Sequence, residues 1–411
     1  MDTPQIIFWI IIGILVLDFV FGKIVSTLNF SWRKKDPPAS LSDVYDDEKY
    51  AKFQAYSMAN FRLGTLSSSL MFLLTLFVFF ADGFAWLDQL LRQYIDSQIW
   101  VSMAFFAVIG LVTSLLSLPF TIYDTFVIEE KFGFNKTTPR TFIFDMFKNL
   151  LLSIIIGGGL LLLILHIYHA TQEWFWLLAW IVISLFSIFM AEFYSTLIVP
   201  LFNKQRPLED GELKQKISDF AERAGFKLDN VYVIDSSKRS SRANAYFTGL
   251  GKKKRIVLFD NLINDFSPDE IVAVLSHEIG HFKKRHIHKS LALSVINTGI
   301  VLYLFGLFVG LDVFSQALGV EEASFHTGAI VFAILYSPVS TITGIFMNKL
   351  SRKNEREADD FAAYYNQGDN LIAALKKLAR ENFSNLTPHP WHVFLNYSHP
   401  PLAERVERLR K

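Results

Sequence analysis

Seven long, nearly uncharged runs dominate this 411-residue chain, at 6–30, 63–80, 99–123, 150–169, 174–202, 291–311 and 325–347. Each approaches or exceeds the ~20 apolar residues that a helix needs to cross the hydrocarbon core of a bilayer. One such run would fit a buried core helix, but seven in one chain predict seven transmembrane helices. The first run has no basic segment before it and no small-residue cleavage site, so it is expected to stay as a helix. Composition agrees, since 51% of residues are hydrophobic and 19% charged, where a soluble domain carries ~25% charge. The 40 basic and 39 acidic residues nearly cancel, which argues against a general nucleic-acid binder. With no cysteine, disulfide scaffolds, Cys-zinc sites, iron–sulfur clusters and thiol nucleophiles are excluded. Any metal site must use His, Asp or Glu.

Loop charge predicts an orientation. With the N-terminus outside, the inner loops hold Arg33, Lys34, Lys35, Lys49 and Lys52, then Lys131, Lys136, Arg140 and Lys148. The polar stretch after residue 202 and the C-terminal tail are also rich in Lys and Arg. The outer side carries Asp82, Asp88, Asp96, Glu173, Asp312, Glu321 and Glu322, with Arg92 as its clear basic residue. This positive-inside asymmetry puts both large polar regions in the cytoplasm. The predicted organisation is five transmembrane helices in 1–200, with cytoplasmic loops at about 31–61 and 124–148. A cytoplasmic segment at 201–288, two more helices in 289–348 and a cytoplasmic tail at 349–411 follow. Pro119 and Pro338 interrupt their spans and need compensating contacts, and Gly157, Gly158 and Gly159 permit bending or close helix approach. Asp18 and Glu192 should face protein or a wet cavity, whereas Lys23 is read as snorkelling to the interface. The absence of an internal repeat weakens a transporter built of repeated halves.

Chemistry concentrates in Ser267-Pro-Asp-Glu-Ile-Val-Ala-Val-Leu-Ser-His-Glu-Ile-Gly-His281. Ser267 suits an N-cap, Pro268 the first helical position, and Glu270 completes a capping box. Ile271, Val274 and Leu275 give an apolar face. The terminal His-Glu-x-x-His therefore lies on a helix, where His277 and His281 project from one face and can both reach a zinc ion. Glu278 can take a proton from the attacking water. The alternative is a basic surface helix continuing through Lys283, Lys284, Arg285, His286 and His288. The last two are read as interfacial residues at the start of the next span rather than as ligands. A catalytic zinc needs a third protein ligand. Ser351-Arg-Lys-Asn-Glu-Arg-Glu-Ala-Asp-Asp360 offers Glu355 and Asp359, four apart on one helical face. One can bind zinc while the other accepts the outer N–H of a ligand histidine. Spacing alone ranks Glu355 only slightly ahead of Glu357.

Five motifs in order resemble the CAAX prenyl protease 1 family, integral-membrane zinc metalloproteases that trim the C-terminal tails of isoprenylated proteins. They are Ile128-Glu-Glu-Lys-Phe-Gly-Phe-Asn-Lys-Thr-Thr138, Asn244-Ala-Tyr-Phe-Thr-Gly249, Ser276-His-Glu-Ile-Gly-His281, Glu355-Arg-Glu-Ala-Asp359 and His399-Pro-Pro-Leu-Ala-Glu-Arg405. The resemblance covers essentially the whole chain, and the first and last motifs narrow it beyond zinc peptidases in general. It implies one Zn2+ per chain on His277, His281 and Glu355, with Glu278 as general base and Asp359 behind a ligand. It also implies Asn244 on the substrate backbone, His399 near the scissile carbonyl and Arg405 close to the substrate. The fold class it implies is an α-helical integral membrane protein, with about seven helices enclosing a chamber. A cytoplasmic gluzincin-like zinc metalloprotease domain with a small β-sheet completes it.

Read from the residues, 244–248 alternates like a strand and 255–260 looks like its neighbour. An edge strand beside a zinc helix can bind an extended peptide by strand addition. Taken alone, Asn244 reads as a turn residue and His399 as a loop histidine. The expected activity is metal-assisted hydrolysis of a peptide bond near the C-terminus of a prenylated CaaX-type protein or peptide, with His399 helping to hold the oxyanion. A membrane quality-control protease without prenyl specificity would use the same site. A transporter or scaffold with a vestigial zinc site is the non-enzymatic reading, against which the intact Glu278 argues. Expected partners are a lipidated peptide or protein substrate and membrane lipids, with no nucleic acid. An endoplasmic reticulum membrane and a bacterial inner membrane both suit the chain.

Overall fold

Apolar runs become long helices because a backbone out of reach of water must bond to itself. The computed structural model describes residues 1–226, 230–249 and 255–411. Helix α1 spans Thr3–Trp32, with Asp2 capping it by accepting from Gln5 N. α2 follows at Asp47–Phe80, then the short amphipathic α3 at Gly83–Arg92. α4, Gln98–Tyr123, contains Pro119 and continues into a π-helical turn at Asp124–Glu129. α5 (Pro139–Leu152) and α6 (Gly159–Thr171) are joined by a second π turn at Ser153–Gly158, which takes in Gly157 and Gly158. α7 and α8 follow at Phe175–Leu197 and Val199–Phe202.

Six helical stretches among the described residues are long and apolar enough to cross a membrane, and one of them, Pro139–Phe202, is 64 residues long. It doubles back at Gln172, whose φ is 42°. Lys148 Nζ near its start donates to the Leu201 carbonyl near its end at 2.8 Å. That stretch therefore supplies two of the seven expected passes. Only 6–17% of each apolar window is buried in protein, which leaves the rest to lipid or to space between helices. Lys23 Nζ donates to two partners on α2, Thr65 O at 3.1 Å and Ser68 Oγ at 2.5 Å.

The polar segment builds β1 (Gln205–Pro207), α9 (Glu212–Arg223), β2 (Asn230–Ile234), β3 (Ala245–Thr248) and β4 (Arg255–Phe259). The strand order is β1-β2-β4-β3. β2 and β4 are parallel, and β3 runs antiparallel to β4 with Ala245 opposite Leu258, as the alternation predicts. β3 is thus an edge strand. α10 (Asp260–Asp265) leads into α11 (Pro268–Lys283), whose Ile271, Leu275 and Ile279 join the sheet's Val233, Ile256 and Leu258 in one core. α12 (His286–Phe308) and α13 (Asp312–Ala317) follow. α14, Phe325–Tyr364, contains Pro338 and is 40 residues long. At ~1.5 Å per residue it is about 60 Å long, so it outruns the bilayer and carries its last turns against α11. Short helices α15 (Gly368–Glu381), α16 (Pro390–Asn396) and α17 (Leu402–Leu409) close the chain.

Ion pairs gather at both ends of the long helices. At one end Lys49 meets Glu381 at 2.9 Å, Lys376 meets Asp43 at 2.6 Å and Arg239 meets Asp145 at 2.7 Å, joining the basic loops to the polar segments. At the other, Arg92 meets Asp88 at 2.7 Å and Glu322 at 3.6 Å.

Candidate metal centre

The capping box forms as expected, with Glu270 N donating to Ser267 Oγ at 3.3 Å and Ser267 N to Glu270 Oε2 at 2.8 Å. From that fixed start, α11 turns its apolar face to the sheet and its histidines to α14. Gly280 allows the close approach, since a Cβ there would meet Ala358 Cα and Phe361 Cβ at 3.1 Å. His277 Nε2 and His281 Nε2 lie 3.1 Å apart. Glu355 Oε2 is 3.3 Å from His277 Nε2, and its Oε1 is 3.3 Å from His281 Nε2. These edges match the ~3.3 Å expected between donors that bind one tetrahedral ion through bonds of ~2.0–2.1 Å.

Outer partners decide which nitrogens are bare. Asp359 Oδ1 sits 2.9 Å from His277 Nδ1, so the ring donates outward and leaves Nε2 with its lone pair. His281 Nδ1 is 3.1 Å from His286 Nδ1, and His286 Nε2 is 3.0 Å from Glu357 Oε2. With its Nε2–H on that carboxylate, neutral His286 accepts at Nδ1 from His281, which bares His281 Nε2. Both Nε2 atoms then point toward the Glu355 carboxylate, whose Oε2 is buried without a hydrogen-bond partner. A cation among them satisfies all three, so the donor set fits a metal.

His286 therefore differs from its interfacial reading: it is 3% exposed and backs a metal-facing histidine. Spacing gives no cue to this, because the chain turns back at Arg285 with φ 57°, a left-handed position uncommon outside glycine. Glu357, left open as a ligand, faces His286 instead of the donor triangle.

Burial alone would lower the His277 pKa, but the Asp359 and Glu355 carboxylates outweigh it and hold the ring at about 9, so a metal takes the place of a proton on Nε2. Burial pushes the Glu278 carboxyl up, opposed by charge on His277 and His281. Arg405 is 9% exposed and committed to Asp359, with Nη2 at 2.6 Å and Nε at 2.9 Å. Its Nη1 turns to the donor triangle, 3.9 Å from Glu355 Oε2. His399 is exposed, with Nε2 3.2 Å from Glu355 Oε1. Asn244 is exposed at the head of β3, which packs against α11. Its Oδ1 accepts from Ala245 N at 2.8 Å and its carbonyl from Phe259 N at 3.0 Å.

Residues 26–204 match the family described as CAAX prenyl protease N-terminal, five membrane helices, and residues 207–411 match Peptidase family M48. CAAX prenyl protease 1 of Saccharomyces cerevisiae is 36% identical over 100% of this chain and 96% of its own. The chain belongs to the CAAX prenyl protease 1 family. The Homo sapiens homologue of CAAX prenyl protease 1 is 31% identical over 91% of this chain and 88% of its own. The crystal structure of Ste24p from S. mikatae matches with a TM-score of 0.93 at 34% identity, covering 100% of both chains. This CAAX prenyl protease family member is thus a membrane metalloprotease with a protein or peptide substrate. The expected architecture of long apolar helices with a small sheet beside the metal helix holds.

Proposed function

We propose that this chain is a zinc metalloendopeptidase cutting peptide bonds near the C-terminus of prenylated CaaX-type proteins. Its site faces the cytoplasm, at an endoplasmic reticulum or bacterial inner membrane. The observation that carries the reading is the His277, His281 and Glu355 donor set next to Glu278, in a chain whose relatives bear the CAAX protease name. Segments 201–288 and 349–411 make up the catalytic unit. The basic loops that meet it support the cytoplasmic side by the positive-inside rule.

Zinc, when bound, supplies a Lewis acid that acidifies water and polarises the scissile carbonyl. Glu278 takes the proton of the attacking water on its carboxylate and hands it to the leaving amine nitrogen. Asp359 holds the Nδ1 proton of His277, and Arg405 keeps Asp359 ionised. His399 Nε2 and Arg405 Nη1 donate to the carbonyl oxygen as charge builds there. Asn244 and the edge of β3 hold the substrate backbone extended.

The test is zinc-loaded protein given prenylated and unprenylated forms of one CaaX peptide. Faster cleavage of the prenylated form is expected. Equal rates would leave a membrane protease without prenyl specificity. E278Q should keep its zinc and lose ~10²–10⁴-fold in rate, and normal cleavage by that variant would remove the base assignment. Intact zinc stoichiometry in E355A would remove Glu355 from the ligand set.

A further inference from the structure

The stretch 128–138 makes none of the contacts described at the metal centre, yet it is bound closely to the loop that ends at Asn244. Its backbone pairs with that loop: Asn135 bridges Ser240, Lys136 N donates to Arg239 O at 3.0 Å, and Ser241 N donates to Phe134 O at 3.1 Å. Asn261, in the first turn of α10, donates Nδ2 to Ser240 O at 2.7 Å and to Arg242 O at 3.3 Å. The segment before Asn244 is thus held by two separate elements.

The charged part of that grip is specific. Arg242 Nη2 reaches both oxygens of Glu129 at 3.0 Å and Tyr56 Oη at 2.6 Å. Tyr56 in turn donates to Glu129 Oε1 at 2.5 Å. The guanidinium lies 4.6 Å from the centre of the Phe134 ring. Glu129 closes the π-helical turn that extends α4, and Tyr56 lies on α2. One arginine, two residues before Asn244, therefore connects the β3 edge to two membrane helices. A polar surface loop needs no such anchor to remain folded. A loop that must offer a substrate backbone an ordered edge beside a metal does, because an edge that has to be ordered on binding loses affinity by that cost.

We propose that Glu129 and Arg242 form a positioning pair, through which residues 128–138 set where Asn244 and the free edge of β3 meet the substrate. The pair touches neither metal nor reacting atoms and acts through Asn244, so the proposal rests on the substrate-binding reading above. Because the grip reaches α2 and α4, it makes the binding edge part of the membrane bundle rather than of the sheet alone.

The test uses full-length, zinc-loaded protein and whichever form of the CaaX peptide the wild type cleaves better. R242Q and E129Q are each expected to raise KM by about 10-fold or more with kcat and zinc content little changed, the signature of lost substrate binding. The double variant should be no worse than the poorer single, and R242Q should add little in an N244A background. Loss of fold would instead lower the active fraction, reducing kcat at constant KM. Where R242Q accumulates poorly, R242K carries the test, since it keeps the charge but not the planar fork. An unchanged KM in R242K and E129Q, or multiplying effects of R242Q and N244A, overturns the pair. Equal cleavage of prenylated and unprenylated peptide strikes the prenyl reading and leaves this test standing. A neutral N244A strikes the Asn244 assignment, and the mechanism proposed here falls with it.

Discussion

At the scale of single residues, the metal centre depends on groups that never face the metal. His286 keeps the proton of His281 on Nδ1, and Glu357 fixes His286 in turn, at 3.1 and 3.0 Å. Removing such a partner typically costs ~10–100-fold in metal affinity. H286A is expected to show that loss in competition against a chelator, and E357Q a smaller one. Unchanged affinity in H286A would mean that His281 is oriented by its helix alone. Asp260 acts on the fold and not on the metal centre. Burial would raise its pKa, but hydrogen bonds from Ser237 and Ser236 outweigh this and hold the carboxyl below the usual range. Its oxygens accept from Ser236 Oγ at 2.8 Å and Ser237 N at 2.9 Å. A depressed folded-state pKa stabilises the fold above the unfolded value of ~3.9, and that contribution disappears as pH falls through the folded one. D260N should therefore be less stable than wild type at neutral pH and show a shallower fall in thermal midpoint on acidification. A fall as steep as wild type would show that Asp260 is no part of the acid response.

At the scale of elements, the decisive contact is between α11 and α14, because the two histidines stand on one and Glu355 on the other. Gly280 sets their separation, and a branched side chain there has nowhere to go at 3.1 Å from Ala358 Cα. Overpacking of this kind costs ~1–3 kcal/mol. G280V should lower the thermal midpoint and weaken zinc binding together, while a stability loss with full zinc affinity would show that the helices re-pack without moving Glu355. Much of this pairing is legible in sequence. The capping box, the i, i+4 histidines and the alternation of 244–248 are local signals, and each fixes an element regardless of the rest of the chain. The choice between Glu355 and Glu357 is not local, because both lie on one continuous charged helix and only the approach of α11 selects a face. The turn at Arg285 is equally unreadable, since a left-handed non-glycine residue is chosen by tertiary contacts rather than propensity. The reversal at Gln172 is signalled by the end of one apolar run and the start of the next, and the π turn at 153–158 by its glycines, but the π turn at 124–129 carries no such mark.

At the scale of the whole molecule, α14 connects two polar ends that the apolar bundle keeps apart. One end holds the metal centre. The other holds a buried chain in which Ser102 Oγ meets His326 Nδ1 at 2.9 Å, His326 Nε2 meets Asp88 Oδ1 at 2.8 Å, and Arg92 Nε donates to Asp88 Oδ2 at 2.7 Å. Ser102, His326 and Asp88 are 2%, 0% and 2% exposed, so this serine–histidine–aspartate chain is closed to substrate and ties α3, α4 and α14 together. Its members differ in what their loss leaves behind. D88A leaves buried His326 without its carboxylate and Arg92 with Glu322 as its carboxylate at 3.6 Å, and a buried polar group stripped of its partner costs ~1–3 kcal/mol. S102A removes one neutral hydrogen bond, a loss of about 1 kcal/mol. The thermal midpoint in one detergent should therefore fall most for D88A, less for H326A and least for S102A. Zinc content and KM should stay at wild-type values below the transition, because α14 can lose its far anchor without turning Glu355 away from α11. Equal midpoints for D88A and S102A would show that the chain is not a load on the bundle, and a raised KM in D88A would show that the two ends are coupled through α14.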